Sequence, residues 1–176
     1  MAFVALVKEE TASAELKQRY QAIRKEFGFL PNVFPAMGDD VRLIDGQGLL
    51  FDSIMSDGAL PRAVKEQIGV VVSGLNTSSY CVALHMEMLR RLGIEKPLSR
   101  KLATDWANAA VDDKVKALFR FADKLTRKPE DVEQSDVDAL RAAGWNDAAV
   151  RETVLTTALF NLVNRVSLGL GVVADF

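Results

Sequence analysis

Apolar residues recur along most of the chain at spacings of three and four, which is the period of an α-helix. The set nearest the N-terminus is Leu16, Tyr20, Ile23 and Phe27. Ser13 precedes this set and is a residue type that caps helix N-termini, while Gly28 follows it and is the residue type that most often ends a helix. The pattern therefore predicts a first amphipathic helix between Ser13 and Gly28.

The same reasoning predicts helices along the rest of the chain. They are expected over residues 40–54, 61–75, 79–92, 99–109, 112–126, 135–143 and 147–168, with a turn and a short helix in 30–35. Segment 61–75 is rich in valine, so a buried strand is a second interpretation of it, but its length and Pro61 at its start favour a central helix. Ser135 with Asp138 approximates a capping box. These elements predict an all-α fold class.

Two stretches of the chain are similar to each other. Residues 63–68 and 149–154 share a pattern, and each begins a helix that becomes strongly apolar. An old duplication would explain this as an internal helical repeat, but two amphipathic helices also coincide in this way by chance. The length of 176 residues is within the range of one domain. We therefore expect residues 1–176 to form a single multi-helix domain.

Composition narrows the classes of function. Hydrophobic residues make up 49% of the chain and the formal net charge is −2, which predicts a globular protein with no nucleic-acid partner and no membrane partner. No uncharged apolar run is long enough to span a bilayer. One cysteine excludes an internal disulfide framework and fits a cytoplasmic location. Because no phosphate loop, dinucleotide glycine motif or His/Cys cluster is present, neither a cofactor nor a metal is expected.

Cys81 and His85 are the first candidates for chemistry. Their spacing of four places both side chains on one face of the helix predicted over 79–92. Cys81 would lie in the first helical turn, where free N–H groups and the helix dipole favour a thiolate, which is the nucleophilic form. The alternative is that Cys81 is a small buried hydrophobic residue and His85 the partner of a polar group in the core.

Glu66 is the third candidate. It lies ten residues before Asn76, which is about 15 Å of helix. Because the two helices joined at Asn76 are expected to pack antiparallel, Glu66 should lie level with His85. A carboxylate that orients an imidazole beside a thiol is an arrangement of nucleophilic catalysis. A purely structural Glu–His pair is the alternative interpretation.

Together these residues resemble a known family. Glu66, Ser78, Cys81 and His85 match the spacing Glu-x11-Cys-x2-Cys-x3-His of the alkylhydroperoxidase D-like proteins in the carboxymuconolactone decarboxylase superfamily, except that Ser78 replaces the first cysteine. The sequences of 30–32, 60–76, 80–83 and 160–165 resemble the peroxidase-related branch of that superfamily. The resemblance therefore covers nearly the whole chain.

The resemblance implies an all-helical fold, assembly as trimers or hexamers, and thiol-dependent reduction of hydroperoxides. In that family the two motif cysteines cycle between dithiol and disulfide. Cys81 would be the reactive thiol here, His85 and Glu66 would relay protons, and Ser78 would occupy the place of the partner cysteine. The expected partners are a small hydroperoxide and an external thiol reductant.

The serine at position 78 prevents the dithiol cycle within one subunit. A cycle with one cysteine is still available, in which Cys81 becomes a sulfenic acid that an external thiol reduces. Ser78 itself is expected to be a structural N-cap that accepts a hydrogen bond from the Cys81 N–H. Two other functions remain open: a lyase or isomerase that uses Glu66 and His85 for acid–base chemistry, and a catalytically inactive binding or assembly protein.

Polar residues in the last predicted helix, and its apolar surface, lead to two further expectations. Asn161, Asn164 and Arg165 should form a structural network or a subunit contact rather than a site, because buried polar groups need partners. The helices over 61–75 and 147–168 carry more apolar surface than a typical surface helix, which predicts a homo-oligomer.

Overall fold

The computed structural model describes residues 2–175 and confirms the all-α fold class, since this part of the chain contains helices and no strand. The described residues form nine α-helices: α1 (Ala14–Phe27), α2 (Val33–Ala36), α3 (Val41–Met55), α4 (Arg62–Leu75), α5 (Ser79–Arg91), α6 (Lys96–Asp105), α7 (Asp113–Arg127), α8 (Gln134–Ala142) and α9 (Asp147–Gly169). Two short 3₁₀ helices, Trp106–Asn108 and Pro129–Asp131, follow α6 and α7. Segment 61–75 is a helix, so the strand interpretation of it is wrong.

Side-chain caps explain where several helices begin. Ser13 accepts a hydrogen bond of 3.1 Å from the Leu16 N–H, and Gly28 ends the same helix in the left-handed conformation. The caps of α3, α7 and α9 are Asp40, Asp112 and Asn146. These caps fix the helix starts close to the positions that the sequence predicts.

One predicted helix start, at α6, and one predicted capping box, at α8, are wrong. Helix α6 begins at Lys96 rather than Ser99, because Pro97 lies in its first turn, where a missing N–H costs nothing. The Ser99 hydroxyl donates to the Lys96 carbonyl from inside the helix. At α8 the carboxylate of Asp136 accepts a hydrogen bond of 2.8 Å from the Glu133 N–H. Asp136 therefore caps the start of the helix, and the predicted capping box of Ser135 and Asp138 is not formed.

Helix α4 is the centre of the molecule and contacts α5, α6, α7 and α9. Its apolar side chains Ile68, Val70, Val71 and Val72 are buried. A glycine at position 69 lets α9 approach closely, because a Cβ there would collide with the Phe160 ring. The main hydrophobic core thus surrounds α4.

A thinner layer, formed by α1, α2 and α3, covers one side of this core. Leu16, Tyr20 and Ile44 form the apolar cluster between α1 and α3. A separate cluster joins Val33 to residues of α5. Among residues 2–175, none of the helices has the length and apolar character needed to cross a membrane. Cys81 and His85 lie on the side of α5 that faces this layer.

Candidate functional site

The turn between α4 and α5 sets the position of the candidate residues. Three residues, Asn76, Thr77 and Ser78, separate the two helices. Thr77 has a φ of 56°, a left-handed conformation that is unusual for a β-branched residue. The Ser78 N–H donates to the Ser73 carbonyl at 2.9 Å, which closes the turn. Because the turn is tight, α5 returns along α4 and residues equally far from it become neighbours.

Glu66 and His85 meet as the antiparallel register predicts. Oε2 of Glu66 is 2.7 Å from Nδ1 of His85, and both side chains are buried. The other carboxylate oxygen, Oε1, accepts a hydrogen bond of 2.8 Å from Nε of Arg62, and the Nη2 of Arg62 lies 2.8 Å from the same oxygen as an ion pair. Burial alone would raise the pKa of Glu66, but His85 and Arg62 outweigh it and hold the pKa below its ordinary value. Glu66 is therefore a carboxylate that accepts the Nδ1–H of His85.

Aromatic rings fix the orientation of the imidazole. The His85 ring meets Phe160 edge to face, with ring centroids 4.6 Å apart, and the ring of Phe51 lies 6.2 Å away on α3. Arg62 covers the outer side of Phe51, with its guanidinium carbon 5.4 Å from the ring centroid. With Nδ1 held by Glu66, Nε2 is the ring nitrogen available to accept a proton.

Cys81 lies one turn before His85 and is buried, with 3% of its surface exposed. Its Sγ is 3.1 Å from Oγ of Ser167 on α9, and Ser78 Oγ is 3.3 Å from the same hydroxyl. Ser78 stands at the N-cap position of α5, but its side chain makes no capping hydrogen bond there. The predicted cap is therefore wrong, because the buried Ser78 hydroxyl points to α9 and bonds Ser167 instead.

Cys81 and His85 share a cavity of about 510 Å³ between α5 and the layer of α1 and α3. Its wall is mainly apolar and includes Ile23, Phe27, Phe34, Ile44, Phe51 and Leu84. Glu66 lies behind His85 and does not line this space. The arrangement offers a thiol and an imidazole to an apolar molecule of modest size, with the carboxylate acting through the imidazole.

The mouth of the cavity is charged. Arg19 and Asp45 form a two-pronged ion pair across α1 and α3, with N···O distances of 2.7 and 2.9 Å. Glu26 also lines the mouth, and its partial burial, together with the nearby charge of Asp52, raises its pKa. Polar side chains thus surround the outer end of the cavity, while its inner end is apolar.

The structure adds two residues that the sequence analysis missed. Arg62 precedes Glu66 by four residues on the same helix, a spacing typical of ion pairs, and that signal could have identified it. Ser167 is separated from Cys81 by 86 residues and carries no local signal. Its proximity follows from the packing of α9 against α5.

The polar residues of α9 form the expected network. Nδ2 of Asn76 donates to Oδ1 of Asn161 at 3.0 Å and to Oδ1 of Asn164 at 2.9 Å. Asn164 in turn donates to Oγ of Ser73, and Arg165 donates to Oδ1 of Asn161. The network links the turn before Cys81 to α9 and leaves the amides engaged with each other rather than with the cavity.

The chain is similar to known proteins in sequence and in fold. The model of the Carboxymuconolactone decarboxylase family matches residues 48–124, which include α4 and α5. No curated protein is significantly similar to the chain in sequence. An uncharacterized peroxidase-related protein from Silicibacter sp. TM1040 has 25% identity and a TM-score of 0.89, with 96% of this chain and 90% of that chain covered.

Two more solved structures have the same fold. One, with an alkylhydroperoxidase AhpD core, is a peroxidase-related protein from Ralstonia eutropha JMP134, with 25% identity, a TM-score of 0.91, and coverage of 99% of this chain and 92% of that chain. The other is the debrominase Bmp8 in complex with 2,3,4-tribromopyrrole, with 19% identity, a TM-score of 0.82, and coverage of 99% and 94%. At this identity the debrominase is similar to the chain in fold alone.

Proposed function

Because the chain belongs to the superfamily of carboxymuconolactone decarboxylases and alkylhydroperoxidase D-like proteins, we propose that it is a peroxidase-related oxidoreductase that reduces organic hydroperoxides with one cysteine. The observation that carries the proposal is the contact of 2.7 Å between Glu66 and His85, with His85 and Cys81 on the wall of one cavity. Cys81 is the nucleophile, His85 moves the proton, and Glu66 orients the imidazole and stabilises the positive charge that it gains when it accepts that proton.

In the first half of the reaction the hydroperoxide is reduced. The Cys81 thiol gives its proton to Nε2 of His85, and the sulfur attacks the terminal oxygen of the hydroperoxide. A sulfur–oxygen bond forms as the oxygen–oxygen bond breaks, so the sulfur is oxidised to a sulfenic acid. The alkoxide that leaves takes the proton from His85 and departs as an alcohol. The apolar wall of the cavity would hold the organic part during this step.

In the second half an external thiol restores Cys81. The thiol attacks the sulfenic sulfur, water leaves, and a mixed disulfide forms. A second thiol then releases Cys81 and becomes part of an external disulfide. An external reductant is needed because Cys81 is the one cysteine of the chain and Ser78 cannot form a disulfide.

The proposal is tested by titrating the protein with tert-butyl hydroperoxide in the presence of dimedone, a trap for sulfenic acids, followed by mass spectrometry. We expect a dimedone adduct on Cys81, formed about a hundredfold faster than on free cysteine, and a loss of most of this advantage in Glu66→Gln. Glu87→Gln is the matched control, because that carboxylate on α5 binds Arg90 and Arg91 rather than His85. Oxidation of Cys81 no faster than free cysteine would contradict the proposal.

A lyase or isomerase of the same superfamily is the second candidate. The observation in its favour is that the Sγ of Cys81 hydrogen-bonds Ser167 and not His85, so the Glu66–His85 pair is complete without the sulfur. In that case the pair alone would perform acid–base chemistry. Turnover that survives Cys81→Ala but not Glu66→Ala would select this function. A protein inert in both assays would be a binding or assembly member of the superfamily.

A further inference from the structure

Ser167 is a hydrogen-bond partner of the Cys81 sulfur that the proposed function does not use. Its Oγ is 3.1 Å from Cys81 Sγ and 3.3 Å from Ser78 Oγ. All three side chains are buried, with 3% exposure for Cys81 and 2% for Ser167. A hydroxyl in this position acts directly on the charge of the sulfur, because water is excluded from the contact.

The number of protons determines the resting arrangement. Ser167 Oγ is 2.9 Å from the Val163 carbonyl and 3.1 Å from the Asn164 carbonyl. Carbonyls can only accept, so the one proton of the Ser167 hydroxyl is directed at the backbone. The thiol of Cys81 and the hydroxyl of Ser78 then donate to Oγ of Ser167. This arrangement fits a neutral thiol.

Ionisation of Cys81 removes one of the two hydrogen bonds that Oγ of Ser167 accepts, because a thiolate has no proton to donate. The negative sulfur would then face the lone pairs of Oγ. The two backbone carbonyls already accept N–H groups within α9, so the hydroxyl loses little when it turns away from them. We propose that Ser167 rotates its proton onto the Cys81 sulfur when that sulfur is negatively charged, and that Ser78 donates to Ser167 behind it. The two serines thus form a hydroxyl relay that stabilises the thiolate.

The polar network holds this relay in place. Asn164 precedes Ser167 on α9 by nearly one turn and is held by Asn76 at 2.9 Å and by Ser73 at 3.0 Å. Asn76 and Ser73 belong to the end of α4 and the turn that leads into α5, which carries Cys81. The network therefore fixes the separation between Ser167 and the sulfur, which a rotating hydroxyl requires.

Within the proposed function, on which this role in peroxide reduction rests, Ser167 keeps its proton throughout. The proton of Cys81 still goes to His85 and from there to the alkoxide. Ser167 contributes by stabilising the attacking thiolate, so its effect is on the reactivity of the sulfur toward any electrophile. That separates the test of Ser167 from the test of peroxidase activity.

The test is the rate of alkylation of Cys81 by iodoacetamide at pH 7, with the rate in denaturant as the reference for each variant. We expect Ser167→Ala to lower the rate in the folded protein about tenfold, which corresponds to the loss of one hydrogen bond to a charged group. Ser167→Thr, which keeps the hydroxyl, should retain most of the rate. Ser99→Ala should leave the rate unchanged, because Ser99 is a buried serine whose hydroxyl also bonds a helix carbonyl, on α6 away from the sulfur.

Three results would overturn the role of Ser167. These are alkylation of Ser167→Ala at the wild-type rate, alkylation of Ser167→Thr as slow as that of Ser167→Ala, and faster alkylation of Ser167→Ala because the sulfur became more accessible. If Ser167→Ala does not fold, Ser78→Ala tests the same relay through its second hydroxyl and should slow alkylation about threefold; no change in that variant would then refute the relay. Slower alkylation of Ser167→Ala, together with wild-type Cys81 that tert-butyl hydroperoxide oxidises no faster than free cysteine, would support the relay and contradict the peroxidase function.

Discussion

Glu66 has the most constrained environment of the candidate site residues. Its carboxylate is wholly buried, and one oxygen binds His85 while the other binds Arg62. Burial raises the pKa of a carboxyl, whereas His85 and Arg62 lower the pKa of Glu66, and these two partners prevail here. A group with a depressed pKa stabilises the fold above its unfolded-state pKa and loses that contribution as the pH falls through the folded-state pKa.

Glu66→Gln should therefore lower the free energy of unfolding at pH 7 by about 3 kcal/mol, the order expected when one partner of a buried ion pair is removed. The difference between wild type and variant should shrink as the pH is lowered below about 4.5, because a protonated Glu66 resembles glutamine. Urea denaturation at pH 7 and at several acidic values measures both effects. A difference that is independent of pH would mean that the ionised carboxylate does not stabilise the fold.

Ser78→Cys should create a disulfide with Cys81 under mild oxidation and raise hydroperoxide turnover with a dithiol reductant. Both side chains contact Ser167 Oγ, and a neighbouring thiol would resolve a Cys81 sulfenic acid faster than a dilute external thiol. The measurements are free thiol content and turnover on the same samples. A disulfide without a gain in turnover would mean that the sulfur has no peroxidase role.

Ser79→Cys is the control for that substitution, because Ser79 is adjacent in sequence but exposed. Its thiol should react freely with a thiol reagent and leave turnover unchanged. If Ser78→Cys forms no disulfide while Ser79→Cys behaves as expected, the geometry of the two-cysteine family is not retained at position 78.

The sequence could identify Glu66, Cys81 and His85, because all three lie on two helices joined by a short turn and helical periodicity fixes their register. It could not locate Ser167, whose contact with the sulfur depends on how α9 packs. It also assigned Ser78 a cap that local preference favours and tertiary contact overrides. Helical periodicity was sufficient for the contact between Glu66 and His85, because one short turn joins the two helices that carry them.

At the scale of helices, the packing of α9 on α4 affects the orientation of His85 in the candidate site. Gly69 on α4 faces the tip of the Phe160 ring on α9, and the same ring meets His85 edge to face. Any side chain added at position 69 must push that ring away. The orientation of the imidazole therefore depends on a glycine that has no contact with the cavity.

Gly69→Ala should destabilise the protein by about 1–3 kcal/mol, the usual cost of overpacking, and should also slow oxidation of Cys81 by displacing Phe160 from His85. The matched control is Gly46→Ala on α3, where nothing lies within 4 Å of the added Cβ. That substitution should stabilise the protein by about 0.5–1 kcal/mol through helix propensity. Thermal unfolding compares the two. A Gly69→Ala protein as stable as wild type would contradict the packing argument.

Helix positions were predictable from periodicity and from caps such as Ser13, Asp40 and Asp112. The start of α6 was not, since a proline in the first turn and a serine that bonds backward give competing signals. Which helix becomes central was also indicated, because α4 lacks a polar face. The cavity could not be predicted, because its walls come from α1, α3 and α5, and nothing in the sequence specifies the gap between them.

On the scale of the whole molecule, the two helices expected to supply an interface differ. Most of the apolar surface of α4 is buried within the chain against α5, α6, α7 and α9. The exposed face of α9 retains Leu155 and Leu162, which are 50% and 46% exposed. The two leucines are seven residues apart, so they lie on one side of the helix and flank Ala158. Homo-oligomer formation stays a prediction, now confined to α9.

If copies of the chain associate through this face, the double substitution Leu155→Glu with Leu162→Glu should convert an oligomer into a monomer, because charges placed on both leucines would have to be desolvated at the interface. Size-exclusion chromatography with light scattering at micromolar concentration measures the mass of each form. Leu92→Glu at the end of α5 is the control, since that leucine is 45% exposed but lies away from α9, and it should leave the mass unchanged. A wild-type protein that is already monomeric would refute the prediction, and an oligomer that survives the double substitution would show that another face is buried.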